Sequence, residues 1–443
     1  MNRYFLLPAG LLLLAGVASA ADMPVKAMPV KAPPAIMYDW NGFYIGGYYG
    51  DSIGSAKAHT DAFTSGVADF NQHGITVGAT AGYNWQFDPR WLVGVEGDIG
   101  WIGLNHTTMQ WNDFANIGEK ADWYGTLRAR FGYVTGPSLL YVTGGGAFVN
   151  VRDEFGGTAT AGPTQNEATR GGWTVGGGIE TKLSRGWTAK TEYMYIDVGR
   201  SSFTSNAFGA APATTFDHSF HVIKTGLNYK LGEPFFEGLP LFGTSPLLPS
   251  NHDWNGFYAG LNASGGISNV HSLGGGGTLG TGTEEDVNGT GAGGGVQVGY
   301  NYRVFSNYFV GVEGDIGYLG VRGSQRDWND TATFSDKTSW YSTARARVGT
   351  TTGPALLYFT AGGAWVHVND TLALIGATSQ SSRTQSGWTV GGGTEVAINE
   401  RWSAKFESLY IDAGHNNLAV GVAHGDFKDR FMVVRAGLNL KLW

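Results

Sequence analysis

The sequence predicts an all-β protein made of two tandem eight-stranded antiparallel up-and-down transmembrane β-barrels. Three observations support this fold class: a domain-sized internal repeat, alternation of side chains with period two, and connections that alternate between short and long. The same strands also allow one sixteen-stranded barrel, which we keep as the alternative.

An internal repeat divides the chain into two halves. The segment Asp-Trp-Asn-Gly-Phe-Tyr at 39–44 returns at 253–258, so that Trp40 and Trp254 lie 214 residues apart. Later blocks return with nearly the same spacing: 94–100 as 311–317, 128–130 as 345–347, 172–178 as 387–393, and 226–228 as 437–439. This unit is too long for a solenoid repeat and has the size of a whole domain. We therefore expect the two halves to share one fold and one function.

The beginning of the chain has the pattern of a secretory signal. Arg3 is followed by an apolar run at 6–17 and by the small residues Ala-Ser-Ala at 18–20, so we expect cleavage after Ala20. Residues 21–38 contain Met-Pro-Val-Lys-Ala twice and predict an extended, Pro-rich spacer. No later apolar run is long enough to cross a bilayer as a helix. The sequence therefore predicts an exported protein without membrane-spanning helices.

The composition excludes several classes of protein. The chain has 443 residues and no cysteine, so no disulfide supports the fold. Its net charge is −7 with scattered Lys and Arg, which does not indicate a nucleic-acid surface. The 71 glycines and the aromatic fraction of 13% are typical of closely packed strands with aromatic anchors.

The strands are indicated by alternation. In segment 91–101, Trp, Val and Ile occupy odd positions, while Glu96 and Asp98 stand at even positions. Successive side chains point to opposite faces of a strand, so one face is apolar and the other is small or charged. The first copy has runs of this kind at about 43–54, 75–87, 91–103, 121–134, 138–151, 171–183, 186–198 and 219–231. The second copy has them at about 257–268, 291–304, 308–321, 338–351, 355–368, 387–398, 401–413 and 430–442.

The connections between these strands differ in length in a regular way. Tight turns are predicted at 88–90, 135–137 and 184–186, and long polar or Gly-rich loops at 55–74, 104–120, 152–170 and 199–218. Short turns at one end and long loops at the other are typical of outer-membrane barrels, with the turns in the periplasm. An even number of strands places both ends of each copy on the turn side.

Aromatic residues at strand ends favour a membrane barrel over a soluble one, because such rings prefer the membrane interface. The residues concerned are Trp91, Trp101, Trp123, Trp187, Trp340, Trp388 and Trp402. In a membrane barrel the apolar face contacts lipid and the polar face lines the interior.

The segment between the copies favours two barrels. We expect the first barrel at 39–231, a periplasmic linker at 232–252 and the second barrel at 253–443. The linker contains four prolines, which disfavour a regular strand or helix. In a sixteen-stranded barrel it would be a periplasmic turn, and such turns are normally short.

Charged residues of the polar face are the candidate site residues. They predict an ion-pair network that fills the narrow interior of each barrel. In the first copy they are Glu96, Asp98, Arg128, Arg130, Glu180, Lys182, Lys190, Glu192 and Lys224, and in the second Glu313, Asp315, Arg345, Arg347, Glu395, Lys405, Glu407 and Arg435. A selective ion or proton path through the same charges is the alternative.

We expect no catalytic, cofactor or metal site. Most histidines, including His218, fall in predicted loops or the linker, and none has a close pattern with carboxylates that zinc enzymes use. The glycine runs at 176–178 and 274–277 lack the Lys-Ser/Thr of a phosphate-binding loop. The sequence therefore predicts that the protein is not an enzyme.

The repeated blocks together resemble the outer-membrane immunogenic proteins of alphaproteobacteria, which belong to the opacity-like eight-stranded barrels. The resemblance covers both copies, whereas family members usually carry one barrel. It implies an outer-membrane location, surface exposure and a structural or porin-like role without enzymatic activity. It also implies a carboxyl-terminal strand that the barrel-insertion machinery recognises, here with Leu438, Leu440, Leu442 and Trp443.

We therefore expect an integral outer-membrane protein with a structural, surface-exposed role in the cell envelope. A porin for ions and small solutes, formed by one large barrel or by a homo-oligomer, is the alternative. A second alternative is an adhesin, since the loops at 55–74 and 269–290 differ most between the copies. The expected partners are outer-membrane lipids and the insertion machinery, with no nucleic acid and no small-molecule substrate.

Overall fold

A computed structural model describes most of the chain after residue 37. The described residues are 38–60, 66–105, 109–111, 115–156, 164–184, 186–204, 213–233, 252–275, 281–305, 307–326, 332–374, 376–420 and 423–442. The predicted signal peptide, nearly all of the Pro-rich spacer, most of the linker and Trp443 lie outside this set. Among the described residues, no helix has the length and apolar character needed to cross a membrane.

The first copy forms a closed ring of eight long antiparallel strands. In chain order the strands are β1 (Gly42–Thr60), β2 (Gly66–Asp88), β3 (Trp91–Asn105), β4 (Met109–Trp111), β5 (Ala115–Thr135), β6 (Ser138–Gly156), β7 (Thr164–Lys182), β8 (Trp187–Thr204) and β9 (Ala213–Lys230). The short β4 pairs only with β5 and is not a member of the ring. The ring is completed where β3 pairs with β5 and β1 pairs with β9.

The second copy forms another closed barrel of eight strands. They are β10 (Gly256–Gly275), β11 (Thr281–Arg303), β12 (Tyr308–Arg326), β13 (Ala332–Thr352), β14 (Ala355–Leu374), β15 (Ala377–Ala397), β16 (Trp402–Val420) and β17 (Ala423–Lys441). Neighbours in sequence are neighbours in the sheet, which is the up-and-down order.

The pairing of the first and last strand of each copy distinguishes two barrels from one. Tyr44 of β1 stands opposite Lys230 of β9, and Tyr258 of β10 stands opposite Lys441 of β17. Each copy therefore closes on itself, and the prediction of two eight-stranded barrels is confirmed. A sixteen-stranded barrel would instead require β9 to pair with β10.

The strands are longer than the alternation predicted. The β1–β2 ladder continues from Ser55 opposite Asn71 to Thr60 opposite Gly66, so much of the predicted loop at 55–74 is strand. The predicted loop at 152–170 likewise contains the end of β6 and the start of β7. The loop prediction was wrong here because backbone hydrogen bonds hold an antiparallel ladder together beyond the bilayer, where no lipid imposes apolar alternation.

The outer surface of each barrel has the apolar character expected of a lipid-facing surface. Leu127 is 68% exposed and Phe359 is 70% exposed. Trp101 and Trp388 are exposed on the outer face of their strands, as expected for residues of an aromatic girdle. Trp187 differs from the prediction, since it is buried against Tyr229 with ring centroids 5.3 Å apart.

Trp187 is buried because the two barrels contact each other through part of their outer surfaces. Its apolar cluster also includes Leu357 of the second barrel. The hydroxyl of Thr135 donates a hydrogen bond to the carbonyl oxygen of Ala397 at 3.1 Å. Part of the predicted lipid-facing surface is therefore covered by the neighbouring barrel.

Candidate site: the charged and acidic layers inside the barrels

The inside of each barrel is filled by side chains arranged in layers. Nearest the short turns lies a layer of charged side chains, which we call the charge network. An apolar layer follows, then a small acidic layer close to the loop ends of the strands.

Strand register brings opposite charges together in the charge network. Glu96 on β3 stands directly opposite Arg128 on β5. In the second barrel, Glu313 on β12 stands opposite Arg345 on β13. Cross-strand neighbours of this kind have their Cβ atoms about 4.5–5.5 Å apart, close enough for an ion pair between long side chains.

Arg128 lies at the centre of the first charge network. Its Nη2 donates to Glu96 Oε1 at 2.6 Å and also to the carboxylate of Asp98. Its Nη1 donates to the carboxylate of Glu192 on β8 and to Thr143 Oγ1 at 2.9 Å. The side chain has no exposed surface, so three carboxylates from two sides of the barrel meet one buried guanidinium.

The remaining members complete a balanced set of charges. Lys190 Nζ donates to Glu96 Oε2 at 2.8 Å, and Lys224 Nζ lies 2.8 Å from Asp98 Oδ2. Arg130 pairs with the carboxylate of Glu180. The eight residues joined in this way carry four negative and four positive charges: Glu96, Asp98, Glu180, Glu192, Arg128, Arg130, Lys190 and Lys224.

Lys182 is the predicted interior charge that the structure places apart from this network. Its Nζ lies 4.9 Å from the ring centroid of Trp40, at the turn end of the barrel. No ion pair of Lys182 occurs among the described residues. The corresponding position in the second copy is Ala397, which agrees with a network that does not need this charge.

The second charge network repeats the first with one exchange of residue type. Arg345 Nη2 contacts Asp315 Oδ2 at 2.8 Å, and its Nη1 contacts Glu407 Oε1 at 3.0 Å. Arg435 takes the place of Lys224 and donates from Nε to Glu407 Oε2 at 2.6 Å. All eight predicted residues are brought together: Glu313, Asp315, Arg345, Arg347, Glu395, Lys405, Glu407 and Arg435.

Buried tyrosines belong to the networks and were missed by the sequence analysis. Tyr44 donates to Glu96 Oε2 at 2.7 Å, and Tyr258 donates to Glu313 Oε2 at 2.6 Å. Tyr141 donates a hydrogen bond to Glu192 Oε2 at 3.1 Å, and the guanidinium of Arg130 lies over the Tyr141 ring in a cation–π contact. Each of these tyrosines alternates with small or polar residues on the inward face of its strand, as Tyr44 does with Gly46, and this alternation was a usable signal.

An apolar layer above each network was also missed. In the first barrel it includes Val149, Ile196 and Phe220, all fully buried. In the second barrel it includes Val366, Ile411 and Phe431. Ile196 and Phe220, like Ile411 and Phe431, continue the inward face of strands whose part nearer the turns is charged, so the inward face of these strands changes from charged to apolar along its length.

The acidic layer of the first barrel combines Glu119, Asp153 and His218. His218 Nδ1 lies 3.3 Å from Glu119 Oε1, and its Nε2 lies 3.5 Å from Asp153 Oδ1. The layer is beyond Trp123 and Trp173, outside the membrane-spanning segment. Burial opposes protonation of His218, but the two carboxylates raise the pKa of His218 to about 10. His218 was predicted in a loop, and this was wrong because β9 begins well before the apolar alternation does.

The acidic layer of the second barrel consists of three aspartates. Asp336, Asp370 and Asp429 offer carboxylate oxygens that all lie within 4.8 Å of one another. They are buried inside the barrel on the loop side of Trp365 and Trp388, outside the membrane-spanning segment. Burial and the neighbouring carboxylates raise the pKa of Asp336 to about 8 and the pKa of Asp429 to about 9.

The carboxyl-terminal strand β17 pairs on both sides, with β16 and with β10. Leu438 is 48% exposed on the outer face, and Leu440 stands opposite Trp402. The backbone N–H of Leu442 donates to the carbonyl oxygen of Phe257 at 2.9 Å. Trp443, the fourth residue of the predicted assembly signal, lies outside the described residues.

Comparison with known proteins agrees with this architecture. The family model described as outer membrane protein beta-barrel domain matches residues 9–230 and again 239–441. The 31 kDa outer-membrane immunogenic protein of Brucella melitensis is 34% identical over 232 residues, which cover 48% of this chain and 93% of that protein. The 25 kDa outer-membrane immunogenic protein of Brucella abortus is 31% identical over 52% of this chain and 98% of its own length.

The 22 kDa outer membrane protein of Rhizobium leguminosarum is 32% identical over 38% of this chain and 68% of its own length. The matched parts of these relatives are about as long as one of the two barrels. The chain therefore belongs to the family of proteins with the outer membrane protein beta-barrel domain, carries that domain twice, and is located in the outer membrane.

Proposed function

We propose that the protein is a structural scaffold of the outer membrane whose two barrels are closed to solutes. The observation that carries this proposal is the pair of ion-pair networks that cross the two interiors. Arg128 joins carboxylates of β3 to a carboxylate of β8, and its side chain and theirs have no exposed surface. Arg345 joins β12 to β16 in the same way.

The apolar layers add a second barrier above each network. Ile196 and Phe220 in the first barrel and Ile411 and Phe431 in the second have at most 1% exposure. A hydrated ion that followed the barrel axis would have to displace buried apolar side chains and break paired charges. Both steps are costly, so the geometry favours a structural scaffold over a diffusion porin or an ion path.

Conductance measurements test this proposal. The full chain, refolded and purified in detergent, is inserted into planar bilayers at physiological salt. We expect no steady open state from the unaltered protein. A steady conductance that changes with Arg128→Ala but not with Arg152→Ala, an exposed control, would show a path through the first network and would overturn the proposal.

We also propose that the chain has no enzymatic activity. Among the described residues, the carboxylates of both charge networks are engaged by arginine or lysine and are at most 3% exposed at the side chain. A substrate has no access to groups in this state. The adhesin alternative depends on the loops, whose tips at 61–65 and 276–280 lie outside the described part of the chain, and it stays a prediction.

We propose in addition that β17 is the strand through which the insertion machinery handles the chain. This strand completes the second barrel, because it pairs with β10 as well as β16. Leu438 on its outer face supplies an exposed apolar side chain near the carboxyl terminus.

A further inference from the structure

The acidic layer of the second barrel has an arrangement of charges that the protein itself leaves uncompensated. Asp336 comes from β13, Asp370 from β14 and Asp429 from β17, and each is at most 1% exposed. The neighbouring amides are neutral: Asn416 donates to the carboxylate of Asp370, and Gln385 donates to that of Asp429. Two of the three buried carboxylates thus receive a hydrogen bond from an amide, and none of the three forms an ion pair among the described residues.

Several polar atoms around this layer have no hydrogen-bond partner within the described part of the chain. Both carboxylate oxygens of Asp336 are in this state, as are Oδ1 of Asp370 and Oδ1 of Asp429. The fully buried hydroxyl of Ser268 faces Asp336 and lies close enough to interact with its carboxylate, but it makes no hydrogen bond of good geometry to any described residue. Buried polar atoms are nearly always paired, so oxygens directed into one small space indicate that something else occupies it.

The nearest arginine does not fill this role. Arg383 on β15 lies close enough to interact with Asp370 and Asp429 electrostatically. Its Nη2, however, donates to the carbonyl oxygen of His415 at 2.7 Å, and it forms no ion pair within 4.0 Å of the three aspartates. When its three carboxyl groups are ionised, the layer therefore has an excess of negative charge that no described residue balances with an ion pair.

The first barrel shows what the same layer looks like when the protein supplies the cation. Glu119, Asp153 and His218 occupy the same positions in β5, β6 and β9 as the three aspartates do in β13, β14 and β17. His218 stands where the second copy has Asp429, and it lies 3.3 Å and 3.5 Å from the two carboxylates. The imidazolium of the first barrel is thus replaced by a third carboxylate in the second.

We propose that the second barrel binds one hard divalent cation, Ca²⁺ or Mg²⁺, between Asp336, Asp370 and Asp429. The cation would take the position that the imidazolium of His218 holds in the first barrel. Carboxylate oxygens are the ligands that both ions prefer. The ligand group among the described residues contains only carboxylates, without sulfur or imidazole, and this disfavours softer metals. This proposal is independent of whether the barrels conduct.

The surroundings suggest when the ion binds. Phe334 and Phe427 lie above the three aspartates, with ring centroids 6.2 Å apart, and both are fully buried. The apolar layer with Phe431 and Ile411 lies below. Because both sides are covered, we expect the cation to be taken up as the barrel folds and then to exchange slowly.

The test measures metal retained by the refolded full chain. The protein is refolded into detergent with excess CaCl₂ or MgCl₂ or with EDTA, desalted, and analysed for bound metal by mass spectrometry. We expect one ion per chain for the unaltered protein. Asp429→His, which copies the first barrel, and Asp429→Asn should each lower the apparent affinity by roughly 10–100-fold or more, at least the loss seen when groups behind metal ligands are removed.

A control separates the site from general acidity. Asp412→Asn removes a partly exposed carboxylate of β16, which pairs with Arg430, and should leave the bound metal unchanged. Both Asp429 variants relieve an excess of buried negative charge, so we expect them to fold. Retention of no more Ca²⁺ or Mg²⁺ by the unaltered protein than by Asp429→His would overturn the proposal and would show that the three carboxyl groups instead share protons.

Discussion

Removal of the Arg128 guanidinium should destabilise the first barrel strongly. Arg128→Ala leaves the four carboxylates of its network with three cations, and it takes donors away from Glu96, Asp98 and Glu192 at once. Because these groups have no exposed surface, water cannot replace the lost hydrogen bonds without opening the barrel.

The size of the effect follows from the burial of these groups. Breaking a buried ion pair by removing one partner costs about 3–5 kcal/mol, since an uncompensated charge is left behind. This corresponds to roughly two to four orders of magnitude in the folding equilibrium constant. An exposed ion pair contributes only about 0–1 kcal/mol. Arg152 and Glu167 form such a pair at 2.6 Å, with side chains 30% and 46% exposed.

The assay is urea unfolding of the full chain in detergent micelles or lipid vesicles, followed by tryptophan fluorescence and by the heat-dependent shift in gel mobility. Arg128→Ala should lower the unfolding free energy of the first barrel by several kcal/mol. Arg152→Ala serves as the matched control on the surface. Glu192→Gln added to Arg128→Ala should restore part of the loss, because it brings the network back to charge balance.

Equal and small effects of Arg128→Ala and Arg152→Ala would refute this reasoning. Such a result would mean that water reaches the interior and screens the network. A failure of Glu192→Gln to restore any stability would show that the loss comes from packing rather than from unpaired charge.

Two further predictions concern a titrating group and the end of the chain. The pKa of His218 is raised from 6.5 to about 10, so its stabilising effect is complete below pH 6.5 and is lost as the pH rises through about 10. The difference in unfolding free energy between the unaltered protein and His218→Gln should therefore be largest near pH 6 and should shrink by pH 10. At about 1.4 kcal/mol per pKa unit, the largest difference is up to about 5 kcal/mol. A difference that does not change with pH would contradict this prediction. Deletion of Leu442 and Trp443 should lower the amount of folded protein in the outer membrane, because the deletion removes the hydrogen bond from Leu442 to Phe257 and the proposed assembly signal. Normal outer-membrane levels, measured by heat-dependent gel mobility, would count against that role of β17.

The charged part of the site could be predicted because period two fixes which residues share a face. Even positions in their strands are enough to predict that four charged side chains point to the interior, and the structure brings all four together: Glu96, Asp98, Arg128 and Arg130. Lys182 also points to the interior but lies at the barrel base near Trp40. An odd or even position in a strand determines the face of the strand on which a residue lies, but not its height along the barrel axis.

The acidic layers could not be predicted in this way. Asp370 and Asp429 belong to strand segments that lie in or beside predicted loops, where the outer face loses its apolar alternation. His218 was missed for the same reason. These residues meet only because strands far apart in sequence place them at one height inside a closed ring, and height depends on the stagger of the whole barrel.

The sequence by itself determined the class of fold, the number of strands, the duplication and the face to which each alternating residue points. These properties are local. A membrane-spanning strand must alternate apolar side chains towards lipid with small or polar side chains towards the interior, and every turn must connect two neighbouring strands. The tertiary structure decided that β1 pairs with β9 and β10 with β17, so that two barrels close instead of one. It also decided which charges meet inside and left three aspartates facing one another in the second barrel. Closure and stagger are properties of the complete ring, and no single strand contains them.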